Sequence, residues 1–432
     1  VGAHGIYTAS GGAVTITAGN ITTTGGGADA IRPEGVGTVT ISSQNKTLST
    51  SGNGADGIRV QRTSANAVTV HAGTITTTGA ASQGIHVFNG TYSGVTVPDG
   101  GAITITAQSV TTTGAPSGSS IDADADAISV YTSGTGANGR IDIDTSVGAA
   151  PSTLGLVKTT GDKARGIWAQ SGWVASPSIP MGGGSITITA GNVMTEGESA
   201  EAIHAVTYGS GASGKVTVTA LGTVATKGAG PAGTNGGPAR GIEAISYGGG
   251  DVSVTTHDVT TLGDNATAIF AQTTSGSALS VDTRAGAVHT SGVAADGVTA
   301  TFDGTVGVVT VRTAAITTDG NLSNGLNAFA GGAGASMLVD TTGGSILTKG
   351  SNATGVNVNA NTFGGTAASG LVTVKLGDVR TEGTGSAASI QAGAGGMDVT
   401  VTGAISTVGT NSWGLSLTNK LSGNSTITVD GS

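Results

Sequence analysis

Apolar and polar residues alternate in short runs along the whole chain. Examples are Val14-Thr15-Ile16-Thr17, Ile103-Thr104-Ile105-Thr106, Ile186-Thr187-Ile188-Thr189, Val216-Thr217-Val218-Thr219 and Val252-Ser253-Val254-Thr255. A period of two puts the aliphatic pair on one face and the hydroxyls on the other, so each run predicts a half-buried strand, segment a. A second phrase, segment b, reads aliphatic, any residue, Thr, any residue, Gly. It occurs thirteen times, from Ile21–Gly25 to Ile405–Gly409, with successive glycines 26 to 47 residues apart. A third, segment c, reads Ala-x-Gly/Ala-Ile, as in Ala28-Asp29-Ala30-Ile31, Ala55-Asp56-Gly57-Ile58 and Ala164-Arg165-Gly166-Ile167. A repeat of this period, found end to end, implies a solenoid.

The spacing within one repeat separates three corners. From the b glycine to the small residue before the c aliphatic is five residues in ten copies. It is thirteen after Gly114 and Gly228, and six after Gly383. The a-to-b step is usually seven to nine, and the c-to-a step runs from eight to nineteen. One rigid corner, one nearly rigid and one tolerant of insertion predict an all-β fold: a single right-handed parallel β-helix, triangular in section, of about 13–14 coils over residues 1–432. Gly, Thr and Val at this density argue against helical repeats. Coils about 4.8 Å apart would give a rod on the order of 65 Å long. The b glycine fits a corner that needs positive φ. The b threonine, present in every copy, fits a structural hydroxyl bonded to the corner backbone or to a neighbouring coil.

Composition narrows the setting. Glycine is 78 of 432 residues and aromatics are 3%, yet the 37% of hydrophobic residues keep a fixed register that a disordered chain has no reason to keep. There is no cysteine, as suits a long chain passing through an oxidising compartment. The net charge of −9 and the absence of any Lys/Arg run argue against a nucleic-acid partner. No apolar stretch is long enough for a transmembrane helix. The start at Val1-Gly2-Ala3-His4 and an end inside a segment a suggest a mature or excised fragment of a longer chain.

Coils carrying the b phrase followed by Ala-x-Gly-Ile resemble the passenger domains of Gram-negative autotransporters, the pertactin-like and AIDA-like β-helical adhesins, over nearly the whole chain. The resemblance implies an acidic, cysteine-poor rod secreted to the bacterial cell surface through a C-terminal outer-membrane barrel, which this sequence does not contain.

Candidate chemistry is sparse. The histidines (His4, His71, His86, His204, His257, His289) are scattered over different coils, without zinc spacing or a nucleophile elbow. Asp122, Asp124 and Asp126 sit in an insertion at the b–c corner, and Asp142 and Asp144 follow in the next segment a. Alternating carboxylates suit Ca²⁺, the one cofactor the sequence suggests. The aromatics gather in segment c or in the stretch after it. Outward positions of c carry Tyr7, Arg32, Arg59, His86, Ser129, Trp168, His204, Glu243 and Phe270, then Thr299, Asn327, Asn357 and Gln391. Aromatics and Arg are what binding surfaces favour. The expected binding edge is therefore Tyr7, Arg32, Arg59, His86, Trp168, Trp173, Tyr208, Tyr247 and Phe270. The sequence thus points to a surface-displayed adhesin or stalk without enzymatic activity, contacting a cell-surface protein or glycan. A polysaccharide-processing β-helix and a self-associating module are the alternatives.

Overall fold

A computed structural model describes residues 2–90, 100–116, 125–150, 153–176, 179–228, 239–332, 334–360, 370–410, 412–419 and 423–430, with backbone alone for 174–176 and 179–181. The chain divides into two compact units, Val1–Gly228 and Ala229–Ser432. Each is a stack of parallel strands, one coil upon the next, and no α-helix occurs among the described residues. This is the parallel β-helix the repeats predict.

In the first unit the c strands stack in register through Ile6, Ile31, Ile58, Ile85, Ile128, Ile167 and Ile203. The a strands stack through Val14, Val39, Val68, Ile103, Ile141, Ile186 and Val216. The b strands stack through Ile21, Leu48, Ile75, Val110, Val157, Val193 and Val224. The second unit repeats the scheme, with Ile242, Ile269, Val298, Leu326, Val356, Ala388 and Leu415 on c. Nearly all these aliphatic side chains are fully buried, so the interior is ladders of like residues. In three coils a and b run together as one bent strand, Val39–Thr50, Val68–Thr77 and Ile103–Thr112.

The b–c corner is held by the b threonine. Its buried hydroxyl donates to the carbonyl five residues on, within its own coil: Thr50 to Ala55 at 2.7 Å, Thr159 to Ala164 at 2.6 Å, Thr195 to Ala200 at 2.7 Å and Thr290 to Ala295 at 2.6 Å. Thr112 keeps the bond across its insertion, to Ala125 at 2.6 Å. At Thr381 the acceptor is Gly385, only four residues on. That corner is shorter than its neighbours, not longer. Ala388, not Ile390, therefore joins the aliphatic ladder, and the outward residue beside Asn357 is Ser389 rather than Gln391.

The b glycine itself needs correction. None of these glycines has positive φ; that conformation falls two residues later, at Gly27, Gly54, Ala81, Lys163, Ser199, Asn265, Ala294, Leu322 and Asn352. The b glycine is required by crowding. A Cβ on Gly52 would lie 2.0 Å from the carbonyl oxygen of Gly25, on Gly197 1.9 Å from that of Gly161, and on Gly350 1.8 Å from that of Gly320.

The c–a corner is closed differently. The fifth residue of c turns inward and its side chain donates to corner carbonyls: Thr132 to Gly101, Thr207 to Gly184, Thr273 to Gly250. Arg62 does the same with a buried guanidinium that reaches the carbonyls of Gly37, Asn66 and Ala67.

These contacts predict a sharp contrast within one corner. Gly52→Ala should lower unfolding stability by about 3 kcal/mol, because a backbone carbonyl must move. Gly54→Ala meets nothing within 4 Å and should cost about 1 kcal/mol for its left-handed backbone. Denaturant midpoints would check this, and equal losses would contradict the crowding account.

Candidate binding face

Segment c presents two outward positions per coil. In the first unit the leading one runs in register through Tyr7, Arg32, Arg59, His86, Ser129, Trp168 and His204. Alternation puts these side chains on one face, as the sequence implies. Their exposure differs widely. Tyr7 is 51% exposed, whereas His86 and Trp168 are each 3% exposed. These two are thus withdrawn from the surface, although their register position is outward. Trp168 packs with the Arg165 guanidinium 6.0 Å from its ring. Arg32 and Arg59 are half-buried, as are Trp173 and Tyr208. Trp173 opens a short antiparallel pair of strands, Trp173–Ser176 with Ile179–Met181, at the insertion-tolerant corner.

Beneath this face lies a ladder that sequence reasoning missed. The x residue of Ala-x-Gly/Ala-Ile is buried or nearly so at Asp29, Asp56, Gln83, Asp126 and Glu201. Its side-chain oxygen accepts the backbone N–H of the x residue in the next coil: Asp29 from Asp56 at 2.8 Å, Asp56 from Gln83 at 2.8 Å, Asp126 from Arg165 at 2.7 Å. The second carboxylate oxygen faces arginine and histidine side chains on the outward side of c. Arg32 lies 3.6 Å from Asp29, Arg59 and His86 each lie 3.6 Å from Asp56, and His204 lies 2.9 Å from Glu201. The basic residues expected to form a binding ridge therefore first compensate buried acids, as buried charges require. Loss of water pushes the Asp29 carboxyl above the ordinary aspartate range, and the charge of Asp56 adds to this. The signal was present in the sequence, in the recurrence of Asp, Glu or an amide at a position flanked by small residues.

At the surface a polar cluster remains. The Tyr7 hydroxyl donates to Glu34 at 2.8 Å, and Arg32 Nε donates to the same carboxylate at 3.0 Å. The bond to Glu34 raises the Tyr7 phenol, and the same bond lowers the Glu34 carboxyl. His4 stacks on Tyr7 with ring centroids 5.7 Å apart.

In the second unit Tyr247 is 41% exposed, and Phe270 is half-buried under the Arg240 guanidinium, 4.3 Å from its ring centroid. The x ladder continues with Asp296 accepting from Asn324 at 2.7 Å, and Asn324 from Thr354 at 2.9 Å.

Of the aspartates considered for calcium, the three described ones lie on two different strands or their ends. Asp122 and Asp124 lie outside the described residues. Asp126 belongs to the buried ladder at the start of a c strand. Asp142 and Asp144 lie on an a strand, where Asp142 pairs with Arg140 at 2.7 Å and Asp144 accepts from the Ser146 backbone and hydroxyl.

No protein-family model matches this chain, and neither does any curated protein or solved structure.

Two outcomes follow. Trp168→Ala should destabilise the protein by about 3–5 kcal/mol, whereas Tyr7→Ala should change stability by no more than about 0.5 kcal/mol; equal denaturant midpoints would contradict the difference in burial. Loss of water raises the Asp296 carboxyl against the hydrogen bonds that lower it. A raised folded pKa contributes stability below the unfolded pKa, and that contribution is lost as pH rises through the folded value. Asp296→Asn keeps the acceptor, as Asn324 does one coil on. The variant should be more stable than the parent at pH 7, with the difference vanishing below the ordinary aspartate range. Denaturation at the two pH values would check the sign.

Proposed function

We propose that the chain is a segment of a secreted β-helical passenger displayed on a bacterial cell surface, where it acts as an adhesin or stalk. The observation that carries this reading is the outward face of c. In the first unit it holds exposed Tyr7; in the second, Tyr247 stands exposed one residue beyond the c strand Ile242–Ser246, and the Arg240 guanidinium lies over the Phe270 ring; in each unit stacked, in-register c strands form the support. Rigid support lowers the entropy lost on binding, and aromatic side chains supply contact area. The outward threonines of a offer hydrogen bonds but little apolar area. The thiol-free, acidic composition and the resemblance of the b and c phrases to autotransporter passengers support the surface setting. A downstream outer-membrane barrel in the full-length protein belongs to the same proposal. The partner class is a cell-surface protein or glycan, and binding rather than catalysis is its role.

The test is adhesion of cells displaying the chain. Tyr7→Ala with Tyr247→Ala should weaken attachment, by about 2 kcal/mol if either tyrosine is an anchor, with the melting curve unchanged. Thr15→Ala with Thr255→Ala on the a face should leave attachment as it was. Adhesion lost only in the threonine pair would move the contact to the a face, and chain-dependent cleavage of a polysaccharide would replace the reading with an enzymatic one.

A further inference from the structure

We infer that Asn138-Gly139, at the c–a corner of the first unit, is a modification site where the asparagine converts spontaneously to isoaspartate and aspartate. Asparagine is a thermolabile residue, and it reacts fastest before glycine, which has no side chain to shield its nitrogen. The glycine nitrogen, having lost its proton to solvent base, attacks Cγ of the asparagine. The N–Cγ bond forms, the Cγ–Nδ2 bond breaks, and ammonia leaves with a proton taken from water. Water then opens the cyclic imide at either carbonyl, to give aspartate or isoaspartate. The step has two needs. The asparagine side chain must be free to swing over the next nitrogen, and that N–H must be released from any bond.

The sequence holds five Asn-Gly pairs, at Asn53, Asn89, Asn138, Asn235 and Asn324. Asn235 lies outside the described residues. Three of the other four are tied to a neighbouring coil through both members. Asn53 Oδ1 accepts the Ala80 N–H at 3.0 Å, and Gly54 N–H donates to the Ala80 carbonyl at 2.8 Å. Asn89 is fully buried; its Nδ2 donates to the carbonyls of Asn66 at 3.1 Å and Gly101 at 3.3 Å, and Gly90 N–H donates to Arg62 at 2.9 Å. Asn324 Oδ1 accepts the Thr354 N–H at 2.9 Å, and Gly325 N–H donates to Thr354 at 3.0 Å. Asn138 differs. It sits in a single 3-10 turn, Gly136–Gly139, with its side chain exposed and bonded to no described residue. The bonds about it are local, Asn138 N–H to Thr135 at 3.1 Å and Arg140 N–H to Ala137 at 3.4 Å. Gly139 N–H makes no bond to another coil among the described residues. Bonds of 3-10 type have poor geometry, and short surface turns open at little cost. The Ser171 hydroxyl donates to the Gly139 carbonyl at 2.5 Å, which holds the glycine while the asparagine side chain turns. Exposure alone does not separate the sites, because Asn53 is exposed as well. The coil-to-coil bonds do. Conversion adds one negative charge two residues before Arg140, whose guanidinium pairs with Asp142 at 2.7 Å. Two coils on, the same turn recurs as Gly211–Gly214, with Ser213 in the place of Asn138.

The test is peptide mapping by mass spectrometry of the full chain, folded and held at mildly alkaline pH. Isoaspartate and aspartate should appear at Asn138 at least about tenfold faster than at Asn53, Asn89 or Asn324, where two hydrogen bonds must first open. In concentrated guanidinium the four rates should converge, since only the fold separates them. Ser213→Asn should create a second reactive pair in the sister turn, at a rate comparable with Asn138 and with an unchanged thermal melt. Conversion of Asn53 as fast as Asn138 in the folded chain, an unreactive Asn138, rates that stay apart in guanidinium, or an inert Ser213→Asn would overturn the inference. The site lies off the outward face of c, so it and the adhesive reading succeed or fail independently.

Discussion

Everything in each unit depends on how closely one coil sits on the next. Parallel strands stack about 4.8 Å apart, and at the b–c corner that distance brings the Cα of most b glycines, such as Gly52, Gly197 and Gly350, against the carbonyl of the b glycine in the preceding coil. Only hydrogen fits there. Once the glycine is fixed, the left-handed residue two places on and the carbonyl three places on that accepts the threonine bond follow as parts of one corner. The corner in turn delivers the c aliphatic to the same height in every coil, which lets the ladders of isoleucine and valine close the interior.

The x ladder belongs to the same geometry but works against a different energy term. Backbone N–H groups at the start of c need acceptors where water is excluded. An aspartate supplies one from the coil before, at the expense of burying a charge. The outward arginines and histidines reduce that penalty, which couples the composition of the c surface to the interior beneath it. Where Asn324 takes the aspartate's place, the acceptor remains and the charge goes. The first unit uses acids and bases, and the second moves toward amides and hydroxyls. Any contact made by Arg32 or Arg59 with a partner would therefore compete with, or share, a bond to Asp29 or Asp56.

Much of this was legible in the sequence, because strand period and ladder register are properties of side-chain pattern. The three segments, the buried aliphatics and the structural role of the b threonine all follow from that pattern. What the pattern could not show was why a glycine is a glycine. Positive φ and crowding both select it, and only the stacked carbonyl of Gly25 over Gly52 separates them. Burial of Trp168 and His86 was hidden for a related reason: alternation says which way a side chain leaves the strand, not what covers it. The two-residue misplacement at Gln391 came from reading Ile390 as the ladder residue, when the corner after Gly383 had lost a residue. The x ladder was overlooked since its residue type varies while its acceptor role does not.

The c–a corner has a further consequence. The strand pair from Trp173 to Met181 is inserted there, yet Ile167 still faces Ile203 without a shift. Inward hydroxyls such as Thr207 and Thr273, and in one coil a whole guanidinium, seal the corner carbonyls whatever the connecting length. Sequence length is thereby decoupled from register at this corner, and even the b–c corner, which keeps one spacing in most coils, holds Ile85, Ile128 and Ile167 in register across the insertion after Gly114. Insertions of different length can therefore reshape the loops of this corner while the aliphatic ladders beside them keep their register.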